Sequence, residues 1–362
     1  MLKQYDVGFD PGNSETSLVV VFPEGEQKTQ ILPSFVSRGS SDQLERFRSM
    51  SGRSLVTPSA AGPQSGEYVI AHGDTGTSEY FVGELAMSQG SAATSARGDI
   101  SRYWSHVSRL LLLTALGSVI PDAEFEAFVV TGLPIETYSD QNRRKVGTYL
   151  EGDHRYVLNR RERRAIVRME KVIMEGAGAM IAFGDDRPIR QAVMDIGGRT
   201  TDLYTANGQV PLVALCGGIA LGVELAADLL SNTMQARCGR SLATQETRAL
   251  LRATVGNGYY LPIYANGQEV SPIDLHLWTE EALRSVGRDI ATFVSQTWTN
   301  SELGTVASDM ARVLLVGGGA YYFYPEIAKL IPHVTVPHQP ELANALGYTA
   351  LARHLRLRRE GT

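Results

Sequence analysis

Alternating apolar and polar positions at residues 4–10 (Gln-Tyr-Asp-Val-Gly-Phe-Asp) and a short apolar run within 16–22 (Thr-Ser-Leu-Val-Val-Val-Phe) predict two strands. Pro11-Gly12-Asn13-Ser14 between them is strong turn chemistry, and a third strand over 27–32 completes an antiparallel meander. From 34 to 98 the chain turns rich in Ser, Gly and Thr with few periodic apolar positions, which predicts a smaller, loop-rich subdomain inserted into the first core. A helix is expected over 101–116, then a buried strand over 124–131 running into Gly132-Leu133-Pro134. Ser139-Asp140 reads as the N-cap of a helix over 141–150. A hairpin is expected from 155–159 and 165–174, and the Ala- and Gly-rich stretch 175–183 opens a helix against a sheet. A second meander is expected at 191–195, 202–206 and 210–215. Helices follow, with an irregular portion over 237–272. The second half closes with a helix over 279–298, a buried strand over 313–316, a glycine run and a helix over 340–357.

One echo runs through this pattern. Val7-Gly8-Phe9-Asp10-Pro11-Gly12-Asn13 and Ala192-Val193-Met194-Asp195-Ile196-Gly197-Gly198 share a strand, an Asp at its end, a Gly two residues on and a second strand. Two copies of one plan, about half a chain apart, imply a duplicated α/β domain with a cleft between the copies.

Length and composition fit that picture. The 362 residues suggest two domains, and 43 % apolar with 20 % charged residues suffices for two cores. A net charge of −5 argues against a bulk nucleic-acid binder. Two cysteines, Cys216 and Cys238, exclude a disulfide scaffold or zinc ribbon. The start carries no apolar leader, and the longest apolar run, 110–120, is well short of the roughly 20 residues of a membrane span. A soluble, cytoplasmic protein is expected, with no membrane partner and no direct contact with nucleic acid.

Common chemical motifs are missing. There is no Gly-Lys dipeptide for a Walker A loop, no His-Glu-x-x-His, no Cys-x-x-Cys and no Gly-x-Ser-x-Gly. What remains is the pair of strand–Asp–x–Gly turns and the run Leu314-Leu315-Val316-Gly317-Gly318-Gly319-Ala320. Glycine-rich turns expose successive backbone N–H groups that can cradle phosphate oxygens. An Asp at a strand end can hold hydrated Mg²⁺, which keeps several waters and needs only one or two carboxylates. Three glycines after a buried strand let a flat ring or a phosphate approach the backbone. Taken singly, each feature is also an ordinary turn.

Together and in order, these pieces resemble the actin–Hsp70–sugar-kinase superfamily, most closely its bacterial and archaeal actin-like branch of the ParM/StbA and Alp type. Phe9-Asp10-Pro11-Gly12-Asn13 resembles the phosphate-1 loop, and Met194 to Asp202 (Met-Asp-Ile-Gly-Gly-Arg-Thr-Thr-Asp) the phosphate-2 loop. Val129-Val130-Thr131-Gly132-Leu133-Pro134 resembles the first connecting element, Leu315 to Ala320 the adenosine motif, and Ala343-Asn344-Ala345-Leu346-Gly347 the second connecting helix. The resemblance implies a duplicated actin-like (RNase H-like) ATPase core: two domains flank a nucleotide cleft, each with a smaller inserted subdomain. Domain I is expected at 1–147 plus 338–362, with an insertion at about 34–98. Domain II is expected at 148–337, with an insertion at about 225–280.

The same resemblance implies roles. Asp10 and Asp195 would hold Mg²⁺ through water, and Gly12, Asn13, Ser14, Gly197, Gly198, Arg199 and Thr200 would surround the phosphates of ATP, with GTP as the alternative nucleotide. Gly317, Gly318 and Gly319 would back the adenosine, and Glu224 would reach the ribose. Glu175, in Met174-Glu175-Gly176-Ala177, would orient the attacking water; without that role it is a helix-start carboxylate favoured by the macrodipole. Actin and ParM carry a lysine seven residues after the first Asp, where this chain has Ser17. Arg199 is the expected source of the missing charge. Implied function follows: a cytomotive ATPase that assembles into filaments, hydrolyses its nucleotide and moves plasmid or other DNA through a DNA-binding adaptor protein. A nucleotide-binding scaffold of the PilM or FtsA kind is the alternative. Arg160-Arg161-Glu162-Arg163-Arg164 reads as a solvated hairpin turn, with filament contact or an acidic partner as the other reading. The basic tail 353–359 suits a helix C-terminus, with DNA or membrane contact as the other reading.

Overall fold

The computed structural model describes residues 2–50, 66–72, 78–90, 94–95, 100–256, 261–300 and 305–361. The chain forms two compact units. Unit 1 takes Met1–Leu133, Thr137–Met174 and Asn344–Thr362; unit 2 takes Pro134–Glu136 and Glu175–Ala343.

Unit 1 contains strands β1 (Lys3–Pro11), β2 (Glu15–Val21), β3 (Gln27–Pro33), β4 (Phe35–Arg38), β5 (Tyr68–His72), β6 (Glu79–Val82), β7 (Thr94–Ser95), β8 (Glu124–Leu133), β9 (Gly152–Leu158) and β10 (Arg161–Met174). Its helices are α1 (Ser41–Met50), α2 (Glu84–Gln89), α3 (His106–Val119) and α4 (Asp140–Leu150). The strands join in one sheet ordered β3-β2-β1-β8-β10-β9-β5-β6-β4-β7. β1 is central because it can pair on both sides: antiparallel to β2 and parallel to β8. Tyr5, Val7 and Phe9 alternate into the core. The middle of α3 is buried on every side, Leu110 through Gly117 without a break, as expected of a helix wrapped by protein. Ser105 and Ser139 accept the N–H of Ser108 and Asn142 and so cap α3 and α4, the second cap being the one the sequence predicts.

The expected break near 147/148 is not where the units divide. β10 pairs with β9 over Arg161–Val167 and with β8 over Arg164–Met174, so the whole 152–174 hairpin stays in unit 1 and the chain leaves it at Met174. The hairpin turn has two residues, since Leu158 pairs directly with Arg161. Asn159 and Arg160 both have positive φ, 49° and 66°, as a type I′ turn demands. The basic run beside it is structural. Arg163 donates to the carbonyls of Gly117, Ile120, Pro121 and Asp122 at the end of α3, and Arg164 pairs with Asp153 and Glu124. Within the expected subdomain at 34–98, β4–β7 extend the same sheet, and Phe35, Leu44, Val69, Phe81, Leu85 and Ala86 form a small core. Residues 51–65, 73–77, 91–93 and 96–99 of that stretch lie outside the described residues.

Unit 2 begins with α5 (Ala177–Phe183) and strands β11 (Arg190–Ile196), β12 (Thr201–Asn207), β13 (Val210–Pro211) and β14 (Gly217–Ile219). It continues with α6 (Val223–Cys238), α7 (Thr244–Thr254), the small hairpin β15 (Tyr264–Ala265) and β16 (Gln268–Glu269), and α8 (Pro272–Trp298). β17 (Thr299–Asn300), β18 (Thr305–Val306), β19 (Arg312–Val316), α9 (Ala320–Leu330) and β20 (Val334–Thr335) complete it. The main sheet runs β13-β12-β11-β19-β20, with β14 also on β12. β11 repeats the plan of β1: antiparallel to the next strand and parallel to a later one. The third strand of the expected meander is shorter than predicted. Only Val210–Pro211 pair, and Val213–Leu215 form a 3-10 turn, because Pro211 cannot donate to a ladder.

The last helix, α10 (Ala343–Glu360), returns the chain to unit 1. It lies on β1 at Gly8, where an added Cβ would stand 1.9 Å from the Ala345 carbonyl oxygen. Arg356 grips the buried Asp6 with two hydrogen bonds of 2.7 and 2.9 Å, and Arg359 pairs with Glu170. Part of the basic tail is therefore spent inside unit 1. None of the described helices is long and apolar enough to cross a membrane.

Candidate functional site

In unit 2 the residues of interest gather at the carboxyl end of β11. The β11–β12 turn, Gly197 to Thr200, is closed by Gly197 N–H donating to the Thr200 carbonyl at 2.8 Å. It is also capped from outside. Val223 and Glu224, the first N–H donors of α6, reach the carbonyls of Gly197 and Gly198 at 3.2 and 2.7 Å. That contact requires Gly222, where a Cβ would fall 2.6 Å from Gly197 O. Arg199 leans back on the same helix, its Nε 3.5 Å from Glu224 Oε2, so its charge is shared with that carboxylate.

Asp195 and Asp202 stand opposite each other across β11 and β12, both buried. Burial pushes the Asp202 carboxyl up to about 7; the Asp195 and Glu136 charges add to the rise, and hydrogen bonds from Ile135 N–H and Thr200 oppose it. The Ile135 bond, 2.9 Å to Oδ1, ties the Pro134–Glu136 segment to β12. Asp202 thus anchors the segment that begins at Pro134. Asp202 could have been found: it closes the Gly-Gly-Arg-Thr-Thr-Asp run and faces Asp195 by strand register.

The glycine run after β19 packs on the same strand end. Gly317, at φ 79°, passes so close that a Cβ would meet Asp195 Oδ1 at 2.4 Å, and one on Gly319 would meet Ile196 Cγ2 at 2.3 Å. Gly319 N–H donates to the Ile196 carbonyl at 2.7 Å. Gly318 has nothing near its Cβ position and leaves its side open. Glu175 is buried in the turn after β10 and precedes α5, whose N-cap is Gly176. Gly176, at φ 83°, lets that turn close on Tyr204, where a Cβ would lie 2.7 Å from Tyr204 Cβ.

Unit 1 carries the other turn. Asp10 is half-buried at the end of β1 and pairs in register with the buried Ser17. Gly12 N–H donates to the Asp10 carbonyl at 3.0 Å. Asn13 and Ser14 are half-buried, and the Ser14 carbonyl accepts from Ser34 N–H at 3.0 Å. Ser34 Oγ donates to the Gly12 carbonyl at 2.7 Å and meets Thr16 Oγ1 at 2.9 Å. Arg102 Nη1 donates to the Pro11 carbonyl at 2.8 Å. No sequence signal marks Ser34 or Arg102; each gains its place through contacts made far along the chain. Among the described residues no group of three or more His, Cys, Asp or Glu side chains converges as a metal cage.

Two units, each with a meander whose first strand ends in Asp and pairs on its far side with a parallel strand, define the class: an actin-like two-domain α/β fold. The family description "Actin like proteins N terminal domain" matches residues 8–178, and "Archaeal actin homologue MreB-like, C-terminal" matches residues 193–329. The chain belongs to the bacterial and archaeal actin-like proteins. The fold is similar to that of the archaeal actin homologue Ta0583, with a TM-score of 0.72 and 21 % identity over 98 % of this chain and 100 % of that one. Ta0583 in complex with ADP gives a TM-score of 0.71 at 20 % identity, again over 98 % and 100 % of the two chains. A subunit of a 15-stranded ParM filament from Clostridium botulinum gives 0.75 at 20 % identity, over 98 % and 100 %.

Proposed function

We propose that this protein is a cytomotive actin-like ATPase that binds Mg-ATP, assembles into filaments and hydrolyses the nucleotide, in the service of plasmid or other DNA segregation. The observation that carries the reading is the end of β11. There a backbone-braced turn, two facing buried carboxylates and a glycine pressed against Asp195 occupy one spot. Backbone N–H groups of such a turn suit phosphate oxygens. The residues fit Mg²⁺ too. Burial leaves Asp202 reluctant to ionise beside Asp195, a tension that a hard cation relieves, and Mg²⁺ needs few protein ligands because it keeps its waters. Bound there, Mg²⁺ would neutralise phosphate charge.

In this reading Asp195 and Asp10 hold the ion through water, and Gly12, Asn13, Ser14, Gly197, Gly198, Arg199 and Thr200 hold the phosphates. Gly318 gives the adenosine its approach between Gly317 and Gly319, and Glu224 reaches the ribose. Glu175 orients the water that attacks, a positioning role of the kind that governs phosphoryl transfer. The ADP complex of one structural relative and the filament of another support nucleotide binding and self-association. Head-to-tail contacts that do not close give helical filaments. A DNA-binding adaptor protein would link the filament to its cargo.

The test is sedimentation with parallel phosphate release, with and without Mg-ATP. The wild type should pellet and release phosphate only with nucleotide, and Glu175→Ala should pellet while releasing phosphate at least tenfold more slowly. Tight nucleotide binding with neither pelleting nor turnover would favour a static scaffold instead.

A further inference from the structure

Three arginines of unit 1 hold their charge in three different ways. Arg356 is bidentate on Asp6, and Arg163 spreads its charge over four carbonyls at the end of α3, where the helix dipole favours a cation. Arg102 has neither. It is only 9 % exposed, its guanidinium stacks 4.0 Å from the centre of the Tyr103 ring, and its hydrogen bonds go to the Tyr103 hydroxyl and the Pro11 carbonyl. No carboxylate is paired with it among the described residues. Burying a cation favours a nearby opposite charge, and since no described carboxylate answers Arg102, an anion bound at its side would do so.

Its location says which anion. Pro11 sits inside the Asp10–Ser14 turn, one residue before Gly12, and residues 10–17 (Asp-Pro-Gly-Asn-Ser-Glu-Thr-Ser) contain no lysine or arginine. Ser17, opposite Asp10, is buried and carries no charge. We infer that Arg102 supplies the positive charge of this turn, and that the group it compensates is the diphosphate portion of the bound nucleotide. The inference rests on the nucleotide reading above and adds to it a residue from outside both turns. It also relieves Arg199, already engaged with Glu224, of sole responsibility for phosphate charge. The Pro11 carbonyl holds the guanidinium in place, and arginine's planar fork leaves other N–H donors for phosphate oxygens.

Calorimetric titration of the full chain with adenosine, ADP and inorganic pyrophosphate tests this, on wild type and on Arg102→Met, Arg102→Gln and Arg102→Lys. Wild type should prefer ADP to adenosine. Both neutral variants should lose at least tenfold in ADP and pyrophosphate affinity while binding adenosine as wild type does, and Arg102→Lys should recover most of the loss. Arg102→Gln keeps an N–H for the Pro11 carbonyl, so a Gln variant with wild-type ADP affinity would make Arg102 a mere anchor and overturn the inference. Neutral variants that fail to fold would overturn it in the same way, as a structural strut. Wild type that binds ADP no better than adenosine would instead overturn the nucleotide reading itself.

Discussion

The two β–turn–β hairpins share a plan and differ in what holds them. The unit 2 turn is braced by main chain: its own Gly197–Thr200 bond, two N–H donors from α6 and a glycine run packed beneath Asp195. The unit 1 turn has main-chain bonds as well, Gly12 to the Asp10 carbonyl and Ser34 to the Ser14 carbonyl, but adds side chains: Ser34 on the Gly12 carbonyl, Thr16 on Ser34 and Arg102 on Pro11. Their charges are opposite in kind. Unit 2 buries two acids side by side, while unit 1 offers one half-exposed acid and a buried cation. Duplication has preserved the backbone path and left the bracing to diverge, so matching residues across the two halves carry different burdens.

The largest effect should come from breaking the main-chain brace. In Gly222→Val a side chain must enter where a Cβ already meets Gly197 O at 2.6 Å, and overpacking of this kind costs about 3 kcal/mol. Urea denaturation should show that loss, with α6 displaced from the turn. The paired acids sharpen the comparison through pH. With Asp202 held up to about 7, the folded state binds a proton that the unfolded state releases near its ordinary value of 3.8. Its contribution to stability is therefore full below about pH 4 and fades as pH rises through 7. Without divalent ions or nucleotide, Asp202→Asn should flatten the melting temperature across that window and melt above wild type at pH 8. The smallest effect belongs to the side-chain brace. Ser34→Ala removes the donor to the Gly12 carbonyl and should cost about 1 kcal/mol in the same urea experiment. A loss as large as that of Gly222→Val would erase the proposed difference between the turns.

Much of this was readable in advance because it is local. The alternation around Val7, the apolar run around Val193, the Asp-x-Gly turns and the Ser139 cap all depend on neighbours in sequence. The actin-like class followed from their order. What could not be read is non-local. The 152–174 hairpin looks the same whichever unit it joins, and only its pairing with β8 assigns it. Arg163 reads as one charge in a solvated run, yet it closes α3 from more than forty residues away in sequence. Arg102, in Ile-Ser-Arg-Tyr-Trp, shows no pattern at all, because its meaning depends on a carbonyl 91 positions earlier.

The clasp between Asp6 and Arg356 has a consequence for how the molecule is made. A ribosome releases β1 well before α10, with all of Glu175–Ala343 between them. Unit 2 therefore has its long segment in hand while the first sheet still lacks the helix that covers Gly8 and the cation that answers Asp6. Asp6 must wait for a partner that lies 350 positions later in the chain. During that interval the exposed face of β1 is the natural client of chaperones.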